Sequence, residues 1–442
     1  MGTNPDKWSR PLTLVPSSDE ALAKRRPHLV VAKGTFRTLG GAERDLLNNL
    51  NALNEIFNVT LLTLHPPTPA EMSAAGVEHI PSLFPDPPWN QPTGPFAEIM
   101  ARGSRSSTKA WSALMSDSGV NDVMSDAEAI HLVSGPGSLE LINALPRSIP
   151  IHLHMLEPHR GLYEDVLHRT IDGTLNRPMW LTSGLLSKQR RRDQHLVRMI
   201  IDAGGLISGN SPWIVERIRE IYGAEATLLP HSIDTSEWTL EPTPEEINVW
   251  KEISTTHGLS EDGYVVTVGR ASWVKGTWET LSMLESTPFS LAHIGGGDTE
   301  DIMELESHAA SLSVPYHPLP RLSQSEMLAV FRHARAMVSH AHHEPMGLTP
   351  IEAHACGTPV IAVDEGGFRM TTEDGVSGRL ISRDAPVSEW HSSLEQAGDS
   401  DYRRMWSAAG RLRVEAIGMS PIDHARRIHD WLKPLLATTK PS

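Results

Sequence analysis

The sequence is almost free of cysteine, with Cys356 the single one among 442 residues. A disulfide within the chain is therefore impossible, and such scarcity is typical of proteins from a reducing compartment. The chain also has neither a cysteine pair nor an HExxH pattern. These absences exclude the common sequence signatures of zinc sites.

Long apolar runs and net positive charge are also lacking. No stretch approaches the roughly 18 apolar residues that span a bilayer, and the opening MGTNPDKWSRPLTL has no apolar signal core. It carries Asp6 where a myristoylation signal needs Ser or Thr. The formal net charge of -15 argues against general binding to nucleic acid, because phosphate backbones are bound by clustered positive charge. We expect a cytoplasmic protein with no nucleic-acid partner.

The chain is too long for one ordinary core, and its pattern predicts two α/β domains. Strand-like apolar runs alternate with longer helical patterns, first from residue 29 (LVVAKG) and again from residue 264 (YVVTVGR). This alternation is typical of Rossmann-like domains with parallel sheets. We place the first domain at residues 28–235 and the second at residues 236–419.

Two cations follow the first strand of the second domain, in VGRASWVKG. Arg270 stands at the carboxyl end of that strand, and Lys275 follows five residues later. Ligands of open α/β sheets bind at the carboxyl ends of strands, so the pair suggests a site for an anion such as a diphosphate. Alternatively, both are solvated loop cations.

A second candidate site lies in SHAHHEPMGLTPIEA, residues 339–353. A strand ends just before Glu344 and a helix starts near Gly347, so the backbone amides of residues 346–348 form a helix end that favours anions. Glu344 and Glu352 flank this end, and carboxylates accept hydrogen bonds from sugar hydroxyls. A nucleotide sugar, with hydroxyls on both sides of its diphosphate, has this layout.

The three histidines of the same segment suggest a metal site at first. Residues alternate between the faces of a strand, so His340 and His342 point one way and His343 the other. Zinc would need a third well-placed ligand, and the two glutamates already fit a sugar nucleotide. We therefore predict no metal site, with the histidines as bystanders.

The segment EPMGLTPIEAHACGTPVIAVDEGG, with VGRASWVKG before it and LGGAE near the N-terminus, resembles the retaining glycosyltransferases of family four. The resemblance covers most of residues 29–381, and the two glutamates separated by seven residues are its most specific element. It implies the GT-B fold, in which two Rossmann-like domains face each other across a cleft and the last segment, residues 420–442, packs back on the first domain. It further implies retaining transfer of a hexose-type sugar from a nucleotide diphosphate sugar to an acceptor hydroxyl.

The resemblance also implies catalytic roles. Arg270 and Lys275 would hold the diphosphate and neutralise the leaving group, while Glu344 would lie beside the transferred sugar. His154 would lie near the donor sugar, with His159 as the competing assignment, unless His154 is simply a strand residue satisfied by the backbone. The expected donor contacts are Gly40, Gly41, Gly269, Met346, Gly347, Leu348, Thr349, Glu352 and Arg321.

One position departs from the family pattern. A glutamate commonly stands three residues after the second glycine of the GG pair, whereas this chain has Met370 there, between Arg369 and Glu373. The departure affects the expected details of sugar recognition more than the reaction class. It also keeps open a non-catalytic nucleotide-sugar-binding subunit, and a nucleotide-sugar epimerase is a further alternative.

The sequence indicates the binding partners only in part. The paired cations occupy the role that a divalent ion fills in metal-dependent transferases, so we expect neither a metal nor a cofactor. The acceptor stays open among a saccharide, a lipid-linked molecule and a small molecule, and nothing indicates the oligomeric state. The stretch MWLTSGLLSKQRRRDQH, residues 179–195, could give weak peripheral membrane contact or form a solvated helix face. Trp89 and Trp111 could line an acceptor site or pack in the core.

Overall fold

The computed structural model describes residues 26–92, 101–146, 148–233 and 238–438. Within these residues the chain forms two α/β domains, each built round its own parallel sheet. The alternation of strand and helix patterns in the sequence predicts this division.

The N-terminal sheet has the strand order β3-β2-β1-β4-β5-β6-β7. Its strands are β1 (His28–Lys33), β2 (Asn58–Thr63), β3 (Ser82–Leu83), β4 (Ala129–Val133), β5 (Ile151–Met155), β6 (Leu206–Gly209) and β7 (Thr227–Leu228). The helices described in this half are α1 (Gly41–Ile56), α2 (Pro69–Ala74), α3 (Arg102–Leu114), α4 (Ser118–Asp126), α5 (Arg160–Tyr163), α6 (Met179–Leu185), α7 (Ser187–Asp202) and α8 (Pro212–Tyr222). The strand order reverses between β1 and β4, which is where doubly wound sheets bind ligands.

The C-terminal sheet has the order β10-β9-β8-β11-β12-β13. Its strands are β8 (Tyr264–Val268), β9 (Ser290–Ile294), β10 (Tyr316–Leu319), β11 (Ala336–Ser339), β12 (Val360–Val363) and β13 (Gly378–Ile381). The helices are α9 (Pro244–His257), α10 (Thr277–Leu284), α11 (Thr299–Ser311), α12 (Gln324–His333), α13 (Leu348–Ala355), α14 (Phe368–Thr371), α15 (Val387–Gly398), α16 (Ser400–Ile417) and α17 (Pro421–Thr438). Here the order reverses between β8 and β11, so the second sheet repeats the plan of the first.

The apolar runs of the sequence become strands that are buried on both faces. Residues 29–32 of β1 are all 0% exposed, because helices cover both sides of a parallel sheet. Helix ends follow local signals as well. Ser211 Oγ accepts a hydrogen bond from the amide of Ile214 at 3.2 Å, Pro212 opens α8, and Gly223 ends it with φ of +63°. The sequence PWIVERIREIYG, with proline at its start and glycine at its end, predicts a helix with these bounds.

The last helix, α17, returns to the N-terminal domain and packs against α1. Ala425, Ile428 and Leu432 are fully buried there, in the same core as Leu46 and Leu50 of α1. Burying each large aliphatic side chain stabilises the contact by about 1.5–3 kcal/mol. The crossing that the resemblance implies is therefore present in the structure.

The two chain crossings between the domains lie side by side. The amide of Ile233 donates to the carbonyl of Met419 at 3.0 Å. Asp45 of α1 holds the first crossing, because its carboxylate accepts from the amide of Ser232 at 3.1 Å and lies 2.8 Å from His231 Nδ1. Burial is the largest effect on Asp45 and opposes its ionisation, but the attraction and hydrogen bond of His231, with His424 and the Ser232 amide, together outweigh it, so the pKa of Asp45 lies below its ordinary value.

Both tryptophans considered for an acceptor site pack inside the N-terminal domain. Trp111 is 0% exposed and donates its indole N–H to the carbonyl of Gly137 at 2.7 Å, and Trp89 is 8% exposed and donates to Ser106 Oγ at 3.0 Å. Their burial supports the core role. Among the described helices, none has the length and apolarity needed to cross a membrane.

Candidate active site

The carboxyl ends of the two sheets face each other across a cleft, and several hydrogen bonds join its walls. Arg321, after β10, donates to the carbonyl of Leu39 at 3.3 Å. Arg160 of α5 donates to the carbonyl of His342, and Ser211 donates to that of Pro345. The segments after β1, β5, β6, β10 and β11 are thereby brought to one place, as ligand binding at strand ends requires.

Lys275 and Glu344 form an ion pair in this cleft, with 2.8 Å between Nζ and Oε2. Lys275 ends a short 3-10 turn, residues 273–275, after β8. Gly269 makes room for its side chain: φ is +145°, and an added Cβ would lie 2.8 Å from Lys275 Cγ. Two residues that the sequence assigns to catalysis therefore touch, although 69 positions separate them.

The electrostatic surroundings keep Glu344 ionised. Burial is the largest effect and opposes the charged form, but the ammonium group of Lys275, its hydrogen bond and the charge of Arg160 together outweigh it. The pKa of Glu344 consequently lies below its ordinary value. A fixed negative charge at this position can accept hydrogen bonds from sugar hydroxyls and can orient Lys275.

Gly366 and Gly367, the GG pair of the sequence, pack against the backbone of Glu344. The amide of Gly367 donates to the carbonyl of Glu344 at 2.7 Å. A Cβ on Gly366 would lie 2.5 Å from that carbonyl oxygen, and one on Gly367 would lie 2.3 Å from Met346 Cα. Only glycine permits such close backbone contact, so the pair fixes the loop that carries Glu344.

Helix α13 begins in the cleft after Gly347, whose φ is +86°. Met346 is 1% exposed, and its sulfur accepts a hydrogen bond from the amide of His231 at 3.5 Å. Leu348 and Thr349 open the helix and are half-buried. The start of α13 is therefore anchored to the first chain crossing and leaves its N-terminal end on the cleft side.

The loop with Gly40 and Gly41 lies opposite this helix. A Cβ on Gly41 would be only 3.2 Å from Leu348 Cδ1, so the domains meet closely here. Glu352, in the second turn of α13, has a raised pKa because it is buried, although the nearby charge of Arg44 on α1 opposes the shift. The donor-binding positions predicted in both domains thus face each other.

A buried lysine that we did not predict holds the glycine loop. Lys33 ends β1, is 1% exposed, donates to the carbonyl of Ser134 at 3.0 Å and lies 3.1 Å from Glu43 Oε1. The other carboxylate oxygen of Glu43 accepts from the amide of Gly40 at 3.0 Å. The only sequence signal was a charge at the end of the apolar run LVVAKG.

Comparison with known proteins identifies the family of the second domain. Residues 251–413 match the family described as glycosyl transferases group 1. The C-terminal domain is a group 1 glycosyl transferase domain. Arg270, Lys275, Glu344 and Glu352 all lie within the matched residues, and Arg270 is exposed at the end of β8.

Known proteins resemble the chain at two levels. The D-inositol 3-phosphate glycosyltransferase of Xylanimonas cellulosilytica is 30% identical over 205 residues, which are 44% of this chain and 49% of that protein. The chain therefore spans about half the length of this curated relative. Sucrose-phosphate synthase from Thermosynechococcus elongatus has a TM-score of 0.68 at 17% identity, covering 93% of this chain and 100% of the other. Anabaena HepE, solved with UDP and glucose, has a TM-score of 0.61 at 14% identity over 92% and 99% of the two chains. These likenesses establish the GT-B fold.

His154 is buried inside the N-terminal domain. It lies inside β5, is 2% exposed and hydrogen-bonds through Nδ1 with Ser208 Oγ at 2.9 Å. Burial, followed by the neighbouring charge of His424, places its pKa well below the ordinary value. The side chain points toward α17, where its ring lies 6.0 Å from that of His424, so a place for His154 beside the donor sugar stays a prediction. His159, the competing assignment, precedes α5 and is exposed.

Glu157, two residues after β5, is the carboxylate that lies in the cleft at this point, and we did not predict it. Its pKa rises to about 7, because surrounding protein atoms disfavour the charge and Glu344 and Glu164 repel it, while Arg160 and Lys275 oppose the rise. One side remains open, since 43% of the side chain is exposed.

The histidines near Glu344 serve the packing of the group 1 domain. His340 stacks on Trp390 with 3.9 Å between ring centroids, and His342 bonds Glu279 at 2.7 Å; both therefore face the side of α10 and α15. His343 points to the N-terminal domain, with Nδ1 3.4 Å from Glu164 Oε2. Among the residues that the structure describes, no three His, Cys, Asp or Glu side chains are placed to share a metal ion.

Met370 packs against the core of the group 1 domain, and its carbonyl accepts from Arg413 Nε at 2.9 Å. Arg369 is engaged by Asp364 at 2.6 Å, and Glu373 is exposed. The position where the family commonly has a glutamate thus carries a side chain directed into apolar surroundings.

Proposed function

We propose that this protein is a glycosyltransferase that moves a hexose-type sugar from a nucleotide diphosphate sugar to an acceptor hydroxyl, with retention of anomeric configuration. The observation that carries the proposal is the contact between Lys275 and Glu344 at the start of α13, opposite the glycine loop. The group 1 match supports the reaction class, and HepE, a structure of the same fold, binds UDP and glucose.

In the proposed complex, Lys275 and Arg270 hold the diphosphate, and the amides of residues 346–348 contact its distal phosphate. Glu352 accepts hydrogen bonds from the ribose hydroxyls, and Glu344 accepts them from the transferred sugar. Glu352 suits this role because burial places it in surroundings poor in water, where hydrogen bonds are stronger.

The proposed reaction breaks the bond between the anomeric carbon and the diphosphate oxygen. The acceptor oxygen forms its bond on the same face, and its proton passes to the departing phosphate oxygen. Lys275 and Arg270 stabilise the negative charge that grows on that oxygen. Removal of one such preorganised group typically costs on the order of 100-fold to 1000-fold in rate.

We also propose that transfer needs neither a metal ion nor a cofactor, because two cationic side chains occupy the diphosphate side of the cleft. Enzyme treated with EDTA and desalted should keep its activity, and added magnesium should not raise it. Loss of activity with EDTA and recovery with magnesium or manganese would overturn this part of the proposal.

The first experiment is a thermal-shift panel of UDP, GDP and ADP sugars with the wild-type protein and Glu352→Ala. A ligand at 100 times its Kd stabilises the folded state by about 2.7 kcal/mol. One base should give a clear rise in Tm, and Glu352→Ala should abolish it. Glu304→Gln, a change at an exposed glutamate of α11, is the control and should keep the full shift.

Transfer is then measured with the selected donor and D-inositol 3-phosphate as a trial acceptor, since that compound appears in the names of the relatives. The anomeric configuration of the product, followed by proton NMR, should match that of the donor. Donor hydrolysis without acceptor gives a second measure of turnover. Donor binding with neither hydrolysis nor transfer to any acceptor tried would favour a non-catalytic binding subunit, and formation of a different nucleotide sugar would favour an epimerase.

A further inference from the structure

Helix α6 turns its apolar side toward solvent. Trp180 is 77% exposed, and Leu181 and Leu185 are each 39% exposed. At 100° per residue these three side chains lie on one face. Thr182 and Leu186, each 1% exposed, are the residues that point inward. Three large apolar side chains of this short helix are therefore exposed, whereas a surface helix usually buries such residues.

Contacts with the body of the domain hold the helix in this orientation. Arg177 Nε donates to Thr182 Oγ1 at 2.9 Å, and Arg190 of α7 donates to the carbonyl of Ser183. The amide of Leu186 donates to the carbonyl of Thr182 at 3.0 Å. The exposed apolar face is thus part of the folded domain.

The next helix, α7, adds a basic stripe. Lys188, Arg191 and Arg198 are exposed, whereas Leu196 and Ile200 on the opposite side are buried. Residues 178–192 contain Lys188, Arg190, Arg191 and Arg192 and no acidic residue. The local charge is therefore positive in a chain whose formal charge is -15.

The acidic residue that follows, Asp193, does not neutralise this stripe at the surface. Its side chain is buried and accepts hydrogen bonds from Tyr163 at 2.7 Å and Tyr222 at 2.8 Å. Burial raises the pKa of Asp193, although these hydrogen bonds oppose the shift. Within residues 178–198 the outward charges of α7 are thus cations.

We propose that this surface, formed by Trp180, Leu181 and Leu185 with Lys188 and Arg191, docks the N-terminal domain on a membrane that contains anionic lipids. Tryptophan and leucine beside lysine and arginine are the composition of helices that lie in a bilayer interface. The apolar part inserts among the acyl chains while the cations meet anionic headgroups. Because the net charge of the chain is negative, docking depends on this local stripe and is screened by salt.

The occupant is a lipid surface on two grounds. The apolar face is a single helix face standing out from the domain, which suits a plane of fluid lipid that needs no complementary shape. The neighbouring cations are arranged along one side of α7, where a plane of anionic headgroups can meet several of them at once. Tyr163, next to the cleft residue Arg160, bonds Asp193 of α7, so docking would bring the cleft close to the bilayer.

Vesicle co-sedimentation tests the proposal without reference to sugar transfer. The full chain is mixed with vesicles of equimolar phosphatidylglycerol and phosphatidylcholine, or of phosphatidylcholine alone. We expect the pelleted fraction to rise at least tenfold with the anionic vesicles at low salt, and to fall when salt is raised to about 0.5 M. Equal sedimentation with both vesicles, or none with either, overturns the proposal.

Variants then locate the contact. The triple change Trp180→Ser, Leu181→Ser and Leu185→Ser should reduce binding at least tenfold, and Lys188→Glu with Arg191→Glu should remove the preference for anionic lipid. The control is Leu412→Ser, a change at a leucine of α16 that is 65% exposed in the other domain, and it should bind as wild type. If the triple variant fails to fold, Trp180→Ser alone is compared with Leu412→Ser. Equal binding by these two variants contradicts the proposal.

Discussion

Lys33 and Glu43 form an ion pair beneath the glycine loop, with 3.1 Å between their charged atoms and only 1% of the lysine exposed. Glu43 also accepts from the amide of Gly40, so one carboxylate joins the end of β1 to the last residue before α1. The position of the loop therefore depends on a charge pair inside the domain.

Glu43→Gln should lower the free energy of unfolding by about 3–5 kcal/mol, because it leaves Lys33 buried without its counter-charge. The amide oxygen of Gln can still accept from Gly40. Urea denaturation measures the change. Glu71→Gln is the matched control: Glu71 also forms a capping box, at Thr68 of α2, and its change should cost less than about 1 kcal/mol. Equal losses in the two variants would show that the ion pair contributes nothing.

Lys275→Ala should reduce transfer on the order of 100-fold to 1000-fold, because it removes a cation from the leaving group. Lys251→Ala, at an exposed lysine of α9, should keep wild-type activity. Steady-state kcat and KM for the donor are the measurements. If Lys275 acts only on ground-state binding, KM alone will rise and kcat will stay unchanged, which contradicts its role in stabilising the leaving group.

From the raised pKa of Glu157 we expect donor binding to depend on pH. Its pKa is raised to about 7, so the carboxyl is neutral below that pH and negative above it. The new charge would repel the diphosphate held by Lys275. The Kd for the nucleotide-sugar donor, whose diphosphate does not titrate in this range, should therefore increase by a factor on the order of three to ten as pH rises from 6 to 8. Glu157→Gln should bind equally at both values, and Glu304→Gln should follow the wild type. A wild-type slope in Glu157→Gln would assign the titration to another group.

A second pH effect concerns stability. His131, His152, His154 and His424 all have lowered pKa values, with burial as the largest cause and a value of about 3 for His152. A histidine with a depressed pKa binds protons more weakly in the folded state than in the unfolded state. Its contribution to stability is therefore complete above the unfolded pKa of about 6.5 and is lost as pH falls below that value. Each such group contributes a slope of up to about 1.4 kcal/mol per pH unit.

Urea denaturation between pH 7.5 and pH 5 should accordingly show a falling free energy of unfolding. His424→Gln should reduce the slope by about one proton, because it removes one of the buried rings that pack α17 on β5. His195→Gln, at an exposed position of α7, should leave the slope unchanged. If His424→Gln and His195→Gln give the same slope as wild type, the buried rings do not control acid stability.

Much of the fold was predictable because its signals are local. The apolar runs that became β1 and β8, and the pair of Pro212 and Gly223 round α8, each depend on a few neighbouring residues. The candidate site was predictable where a motif carries its geometry with it, as in Glu344, the helix start and Glu352. Gly366 and Gly367 belong to the same motif, and their backbone contacts explain why glycine stands there.

The rest depends on distances between remote segments, which a single sequence does not reveal. Glu157 acquires its raised pKa chiefly from burial between the domains, and repulsion by Glu344 of the other domain adds to it. His154 illustrates a different limit: alternation shows that His152 and His154 share a face, but not which face meets the cleft. In the sequence Lys33 is only a charged residue at the end of a strand, and its counter-charge comes from the next helix. That the protein is cytoplasmic stays a prediction.

Ile233 and Met419, one on each of the two segments that link the domains, lie beside each other. Because these two residues lie side by side, a widening of the cleft would be a rotation about this edge. Such a rotation separates Gly41 from Leu348 while every strand pairing in both sheets is preserved. Asp45 contacts His231 and Ser232 beside this edge. A substitution of Asp45 would therefore alter how readily the domains rotate, without changing a contact to a bound sugar.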